Sequence, residues 1–302
     1  MIKKSVSLIE RACISIPEFN ELYRKMKRSI DLSGKSKSTL INYARCLSTM
    51  AFYFKCNPLE LDDEQILDYL HHLTKQSKTP SSSYFKHILY GLRFAYKVEG
   101  MEPRLITLPS LKQPKKLPVV LSFNEVKLLL KTPKLLKHRM VLAMLYGCGL
   151  RRSELMNIKL VDIDFDRSML HIREGKGKKD RYVPLGENLI IGLKKYLESE
   201  RPVTWLFNGK NKEGVLQKFS ETGVQWIVRE TAKSSGISKH ITSHILRHTY
   251  ATHLLEMGLD IMTLRDLLGH TDIRTTLIYL HVSNLGRGIA FSPMDRLYKI
   301  KS

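Results

Sequence analysis

Apolar residues recur at helical spacing through the first hundred residues. Two sets carry the pattern: Phe19, Leu22, Tyr23 and Met26, then Leu40, Tyr43, Leu47, Met50 and Phe54. An amphipathic helix places such residues on one buried face. Two more periodic stretches cover residues 63–75, after an acidic start at Asp62 and Asp63, and residues 82–97. Between residues 16 and 100 the pattern predicts four helices and no strand.

The second half mixes helical and alternating patterns. Ser122 and Glu125 form a capping-box signature that opens a helix over residues 123–130, and an apolar helix follows over 137–146. Residues 169–173 and 180–184 read as two strands around the turn Gly175-Lys176-Gly177. Residues 188–200 and the chain from 222 onward are mainly helical. The prediction is a mainly α fold with a small β-sheet, in which an α+β domain follows the four-helix domain.

A proline-rich stretch separates the two halves. Its prolines and lysines are Pro103, Pro109, Pro114 and Pro118, with Lys112, Lys115 and Lys116. Proline fixes φ and removes backbone donors, which favours an extended linker. Such a linker either follows a phosphate backbone or is a solvated tether. The predicted boundaries are a first domain over 1–102, the linker over 103–120, a second domain over 121–286 and a tail over 287–302.

The charge points to a polyanionic partner. Fifty Lys and Arg against 29 Asp and Glu give a net charge of +21 and a pI of about 9.8. Nucleic acid is the commonest partner of so basic a protein, although a merely basic protein is the alternative. The candidate DNA contacts lie near helix starts, on polar faces, in the linker and around the hairpin: Lys35, Lys37, Lys86, Arg93, Lys115, Lys116, Lys178, Lys179 and Arg181.

Other compositional features narrow the class of protein. The four cysteines, Cys13, Cys46, Cys56 and Cys148, form no CxxC pair and no zinc spacing, so reduced core thiols are expected. The N-terminus makes a poor signal peptide, and the longest apolar run, residues 140–150, is too short to span a bilayer. The expectation is a cytoplasmic protein without a cofactor.

Four segments of the second half carry candidate chemistry. They are Gly-Leu-Arg-Arg-Ser-Glu-Leu at 149–155, Gly-Lys-Gly at 175–177, His-Ile-Leu-Arg-His at 244–248, and Leu-Gly-His at 268–270 with a tyrosine nine residues later. Each alone has an ordinary structural reading, such as a surface arginine, a solvated turn, a packed histidine or a core tyrosine. Together they supply arginines to grip a phosphate, a lysine to protonate a leaving oxygen, histidines to accept a proton or bind the phosphate, and a nucleophilic tyrosine.

These four segments resemble the active site of the tyrosine recombinase (phage integrase) family, most closely its Xer-like and transposon-borne branch. The resemblance extends to the N-terminal half, which is similar to the family's core-binding, SAM-like domain. It implies a catalytic set of Arg151, Lys176, His244, Arg247, His270 and Tyr279, with no metal or other cofactor. Glu154 would support Arg151 or the fold.

The resemblance also implies a mechanism and partners. Tyr279 would attack a phosphodiester of double-stranded DNA, leaving a 3′-phosphotyrosyl link and a free 5′-hydroxyl. Four protomers would exchange strands between two sites, integrating, excising or inverting DNA, with a second recombinase or accessory proteins as possible partners. The tail, which contains Tyr298, would dock on a neighbouring protomer.

Several alternatives remain at this point. The same chemistry serves type IB topoisomerase-like relaxation or hairpin formation, and an inactive DNA-binding relative is the non-enzymatic alternative. Asp162, Asp164 and Asp166 resemble the start of a calcium loop, but Arg167 and Arg173 occupy the positions that need glycine and glutamate. A solvated turn or strand edge is favoured there over a metal site. Tyr250, within the predicted helix of His244, is expected to be packed.

Overall fold

The computed structural model describes residues 6–34, 36–76, 81–101, 117–173, 180–211 and 213–283. They fall into two compact units, one within Met1–Lys115 and the other within Lys116–Ser302. No helix in the described ranges is long and apolar enough to cross a membrane.

The described part of the first unit is built from five α-helices: α1 (Leu8–Ser15), α2 (Pro17–Leu32), α3 (Lys37–Phe54), α4 (Asp63–Lys75) and α5 (Ser82–Val98). The four predicted helices are confirmed as α2 to α5, and α1 is an addition that the sequence pattern did not predict. A capping box starts α1, since Ser7 Oγ accepts the Glu10 N–H at 3.2 Å and the Glu10 carboxylate accepts the Ser7 N–H at 2.7 Å.

The predicted apolar faces of the first unit form its core. Phe19, Leu22 and Met26 from α2 are at most 1% exposed, and Leu47 and Met50 from α3 are fully buried. α5 packs against α3 and closes this core. The opposite faces keep the charged residues in solvent, as the hydrophobic pattern requires.

The second unit contains eight α-helices in the described residues: α6 (Phe123–Lys131), α7 (Leu136–Gly147), α8 (Arg152–Asn157), α9 (Glu187–Glu200), α10 (Glu221–Ser234), α11 (Ser243–Glu256), α12 (Ile261–Leu268) and α13 (Arg274–Leu277). The capping box of Ser122 and Glu125 is present at the start of α6, as predicted. α11 packs against α7 and α12. Its buried side joins a cluster that includes Ala251, Leu255, Leu264 and Leu268.

Two small antiparallel sheets complete the second unit. The first has the order β1 (Ile163–Asp164), β2 (Met169–Ile172) and β3 (Arg181–Pro184), with Leu170 opposite Val183. β2 and β3 confirm the two predicted strands, and the Gly175-Lys176-Gly177 turn between them lies outside the described residues. A second hairpin, β4 (Asn208–Lys210) and β5 (Leu216–Lys218), was not predicted.

All four cysteines are free thiols, as expected. Cys46 and Cys148 are buried, whereas Cys13 and Cys56 are only half-buried. Burial raises the pKa of the Cys148 thiol to about 12, so this side chain behaves as a small apolar group of the core.

Candidate active site

Five of the six predicted catalytic residues come together at the N-terminal half of α11. Arg151 is the residue before α8, His244 and Arg247 lie on α11, and His270 follows the Gly269 that ends α12 in the left-handed conformation. Tyr279 follows α13. The sixth, Lys176, lies outside the described residues.

A buried carboxylate, Glu154, organises the arginines. It accepts the backbone N–H of Arg151 at 2.7 Å and the Arg151 guanidinium at 2.6 Å. Both terminal nitrogens of Arg181 donate to it at 2.9 Å, and Arg247 Nη1 lies 3.7 Å away. Burial would raise the pKa of the Glu154 carboxyl, but the hydrogen bonds and charge of Arg181, then Arg151, bring it down to about 2. Glu154 is thus an anion at neutral pH and supports the site, as the sequence indicated.

Arg181, which the sequence predicted to contact DNA, has a largely buried side chain in the structure. Its side chain is 8% exposed, and its Nε donates to the Leu267 carbonyl at 2.7 Å while the other two nitrogens bind Glu154. Three of its five N–H groups are thus bonded inside the unit, and the low exposure of the side chain leaves little of it for a DNA groove. Arg181 therefore links β3 to α8 and to the end of α12.

Arg247 is the most deeply buried charge of the site, at 1% exposure. Nη1 donates to the Gly149 carbonyl at 2.6 Å, and Nη2 donates to the Leu268 carbonyl at 2.5 Å. Burial, then the charge of Arg151, lowers the pKa of Arg247 to about 10, so the group remains a cation at neutral pH. Its bonds join α11 to the segments before α8 and after α12, where Arg151 and His270 lie.

Gly149 has a left-handed backbone conformation that residues with a side chain rarely adopt. Its φ is +57°, and a Cβ there would lie 2.3 Å from Cδ1 of the Tyr250 ring. The close approach lets the Gly149 carbonyl reach Arg247. Tyr250 itself is packed, as predicted, and burial raises its pKa to about 12. The glycine of the Gly-Leu-Arg segment is therefore required by backbone geometry.

Both ring nitrogens of His270 are engaged. Nε2 lies 3.2 Å from Arg247 Nη2, and Nδ1 lies 2.9 Å from the hydroxyl of Thr276. Because a guanidinium only donates, Nε2 must accept, which places the proton on Nδ1, where it is donated to Thr276. The ring is nearly parallel to that of Tyr279, with 13° between the planes and 6.5 Å between centroids.

The hydroxyl of Tyr279 meets a histidine that was not in the predicted set. Tyr279 is 2% exposed, and its hydroxyl oxygen lies 3.0 Å from Nδ1 of His248. Burial raises the pKa of the Tyr279 phenol, although the charges of Arg247 and Arg151 oppose this. His248 is the last residue of the His-Ile-Leu-Arg-His segment. Its spacing of four from His244 was the available signal, since residues four apart share a helix face.

His244 lies at the edge of a groove of about 790 Å³. The groove runs between α8, α10 and the start of α11, and its basic lining consists of Arg151, Arg152, Arg229, Lys233 and Lys239. The His244 ring is exposed and packs edge-on against the His248 ring, 4.3 Å between centroids. Burial, then Arg247 and Arg151, lowers the pKa of His244, so the ring is neutral at pH 7. The groove therefore borders two residues of the predicted catalytic set, Arg151 and His244.

Of the other predicted DNA contacts, three can be placed. Lys37, Lys86 and Arg93 are exposed on helices of the first unit. Lys35, Lys115, Lys116, Lys178 and Lys179 lie outside the described residues. The Asp162 carboxylate, interpreted from the sequence as part of a solvated turn or edge, is instead 3% exposed. It binds Arg173 at 2.5 Å and the Lys159 N–H at 2.8 Å, which is a structural role.

Known proteins similar to this chain agree with the motifs. A model described as the phage integrase family matches residues 119–285, and a phage integrase N-terminal SAM-like domain matches residues 22–98. The tyrosine recombinase XerA of Pyrococcus horikoshii is 33% identical over 267 residues, covering 87% of this chain and 90% of that protein. The tyrosine recombinase XerD of Listeria innocua is 34% identical over 275 residues, covering 83% and 90%.

The fold has solved counterparts as well. A post-cleavage complex of the XerH site-specific recombinase with a palindromic difH substrate superimposes with a TM-score of 0.69. The two chains are 22% identical, and the alignment covers 91% of this chain and 86% of that one. This likeness concerns the architecture of the chain.

Proposed function

Because the chain belongs to the phage integrase family, and is a site-specific tyrosine recombinase that cleaves and rejoins DNA, we propose that Tyr279 is its nucleophile. The observation that carries this proposal is the convergence of Arg151, Arg247 and His270 on the neighbourhood of one buried tyrosine. Two arginines near one phenol are what attack on a phosphodiester needs, because developing charge on the phosphate must be stabilised.

The proposed reaction has two transesterifications. The Tyr279 oxygen attacks phosphorus, the bond to the 5′-oxygen breaks, and a 3′-phosphotyrosyl link remains. Arg151 and Arg247 bind the non-bridging oxygens through guanidinium N–H groups that Glu154 and the carbonyls do not use. His270, whose Nε2 accepts from Arg247, positions that guanidinium in the phosphate site. Lys176 protonates the departing 5′-oxygen, a role that rests on the sequence alone. A 5′-hydroxyl from a partner duplex then reverses the step.

The groove between α8, α10 and α11 is the proposed path of the DNA backbone beside the cleavage site. Its lining is basic and it ends at Arg151 and His244. Some of its charges already have acidic neighbours, since Arg152 pairs with Glu221 and Lys239 lies 2.7 Å from Glu125. A phosphate can compete for such partly exposed pairs, because surface ion pairs are weak.

The assembly follows the expectation from the family. We propose that residues 1–102 bind DNA together with the 121–286 unit, joined by the 103–120 linker, and that four protomers act on two sites, with a second recombinase or accessory proteins where a site requires them. Since the substrate is DNA, the cytoplasm is the proposed compartment. The 287–302 tail, outside the described residues, would dock on a neighbour. Deleting residues 288–302 should weaken assembly more than DNA binding by the monomer, and equal loss of both would contradict the docking.

The decisive experiment is a covalent trapping assay. Wild type, Tyr279→Phe and the control Tyr250→Phe are incubated in EDTA with end-labelled DNA that flanks the gene, and adducts are separated on a denaturing gel. We expect adducts with wild type and Tyr250→Phe and none with Tyr279→Phe. An adduct that survives in Tyr279→Phe would move the nucleophile elsewhere. Binding by wild type without any adduct would favour the inactive DNA-binding relative.

A further inference from the structure

We propose that His248 takes the proton of Tyr279 during cleavage and returns it during rejoining. The inference rests on the proposed role of Tyr279 as nucleophile. Nδ1 of His248 lies 3.0 Å from the phenolic oxygen, which is hydrogen-bond distance. Among the described residues, this is the hydrogen bond that the structure records for the hydroxyl. His248 therefore touches the reacting atom, as a general base must.

The neighbouring groups are less suited to this task. Arg151 and Arg247 are cations that only donate. The nitrogens of His270 are occupied by Arg247 and by the Thr276 hydroxyl, and its ring centroid is 6.5 Å from that of Tyr279. At 2% exposure, the Tyr279 side chain gives bulk water little access. Of the groups described around the phenol, His248 has a nitrogen directed at its oxygen.

The protonation state of the His248 ring suits a proton acceptor. Burial, then the adjacent His244 and Arg247, lowers its pKa to about 4, so the ring is neutral at pH 7. A neutral ring in the Nε2–H tautomer presents the Nδ1 lone pair to the phenol. The negative phosphate of bound DNA opposes the charges of Arg247 and Arg151, which increases the basicity of His248 at the moment when it is needed.

The proton stays on His248 until rejoining. One helical turn earlier on α11, the His244 ring packs edge-on against His248 at 4.3 Å between centroids and borders the groove. During cleavage the Tyr279 O–H bond breaks, its proton moves to Nδ1, and the oxygen forms the bond to phosphorus. The bond to the 5′-oxygen breaks, and that oxygen leaves as a hydroxyl with the proton proposed to come from Lys176. In the reverse step the phenolic oxygen leaves phosphorus and recovers the proton from Nδ1.

The first test is His248→Asn, whose amide preserves a hydrogen bond to the phenol but accepts no proton at neutral pH. The substrate is a duplex that carries the cleavage site mapped in the trapping assay. We expect single-turnover cleavage to fall by about 100-fold or more while DNA affinity is retained. The matched control is His281→Asn, an exposed histidine two residues from the nucleophile, which should cleave like wild type. Unchanged or faster cleavage by His248→Asn would overturn the inference.

A second measurement separates proton transfer from positioning. Tyr279 is replaced by 3,5-difluorotyrosine, a more acidic phenol that needs less help from a base, in wild type and in His248→Asn. We expect the defect of His248→Asn to shrink by roughly 10-fold or more in the fluorinated protein. A defect of equal size with both phenols would mean that His248 only positions Tyr279, and would overturn the inference. Absence of an adduct in wild type would instead refute the proposed function and, with it, this inference.

Discussion

The guanidinium of Arg181 meets the carboxylate of Glu154 side by side, with both nitrogen–oxygen distances at 2.9 Å. Arg151 adds its own bond to the same carboxylate, and Arg247 lies 3.7 Å from it. The Glu154 carboxylate therefore holds three guanidinium groups closer together than their mutual repulsion would otherwise allow. The proposed phosphate-binding arrangement is therefore formed in the protein without DNA, which lowers the cost of ordering it during the reaction.

Glu154→Gln should destabilise the protein severely. The amide leaves three guanidinium groups without their counter-charge, and breaking a buried pair of this kind costs about 3–5 kcal/mol. Urea unfolding at pH 7, compared with wild type, measures the loss. A difference below ~1 kcal/mol would show that solvent compensates these cations far better than their burial implies.

The same carboxylate predicts a dependence of stability on pH. Its pKa falls from an ordinary 4.5 to about 2 in the folded protein, which corresponds to ~3 kcal/mol. Because the folded pKa is depressed, this stabilisation is present in full above pH 4.5 and is lost as the pH falls towards 2. The stability gap between wild type and Glu154→Gln should therefore narrow between these values. A gap that stays constant down to pH 2.5 would contradict the ion-pair explanation.

Gly149→Ala should be more harmful than an ordinary glycine substitution. The methyl group adds left-handed strain of about 1–2 kcal/mol and overlap with the Tyr250 ring of ~1–3 kcal/mol. Gly236→Ala is the matched control, because its φ is +69° and a Cβ there meets no atom within 4 Å. Thermal unfolding of both variants should show the smaller loss for Gly236→Ala. Equal losses would mean that the contact with Tyr250 relaxes freely.

Thr276→Val should impair cleavage without affecting DNA affinity. The substitution keeps the shape of a fully buried residue but removes the hydroxyl that fixes the His270 tautomer. We expect single-turnover cleavage to slow by roughly 10-fold or more, since His270 contacts Arg247 and small misplacements of the proposed phosphate-binding arginine are costly. Thr252→Val is the control, because the Thr252 hydroxyl is buried and has no hydrogen-bond partner among the described residues. That variant should cleave like wild type and be at least as stable. Normal cleavage by both variants would contradict the role of Thr276.

Arg181 and Lys86 should differ in the salt dependence of DNA binding. Each phosphate contact contributes about 0.9 to the slope of log affinity against log salt concentration. Lys86→Gln, on the exposed face of α5, should reduce the slope by roughly that amount. Arg181→Gln should leave the slope unchanged, because the guanidinium binds Glu154 and Leu267. A reduced slope for Arg181→Gln in a folded protein would restore Arg181 as a DNA contact.

Hydrophobic spacing was sufficient for most of the fold. α2 to α5 have strong apolar periodicity, and the start of α6 has a capping box, so local sequence determines them. α1 escaped prediction because eight residues with one buried side chain, Ala12, carry little periodicity. The β4 and β5 hairpin escaped for a similar reason, since Val215 and Leu216 are exposed and no alternation marks a buried face.

The candidate site also contains features that the local sequence predicts and features that it does not. Arg151 and His270 lie beside a helix start and a helix end, which are local features. The contact between His248 and Tyr279 joins residues 31 positions apart, and the burial of Arg181 depends on Glu154, 27 positions away. Such pairings arise from tertiary packing. The reactive residue types in the sequence therefore identified the region of the site but not which side chains are in contact.

The hydrogen bonds of Arg247 also determine when the site can form during synthesis of the chain. Its bonds reach the carbonyl of Gly149, 98 positions earlier, and that of Leu268, 21 positions later, while Arg151 reaches Gly269 across 118 positions. During synthesis on the ribosome, these contacts close only after the segment around residue 270 has emerged. A nascent or prematurely terminated chain therefore carries its basic surfaces before Arg151, Arg247 and His270 are brought together.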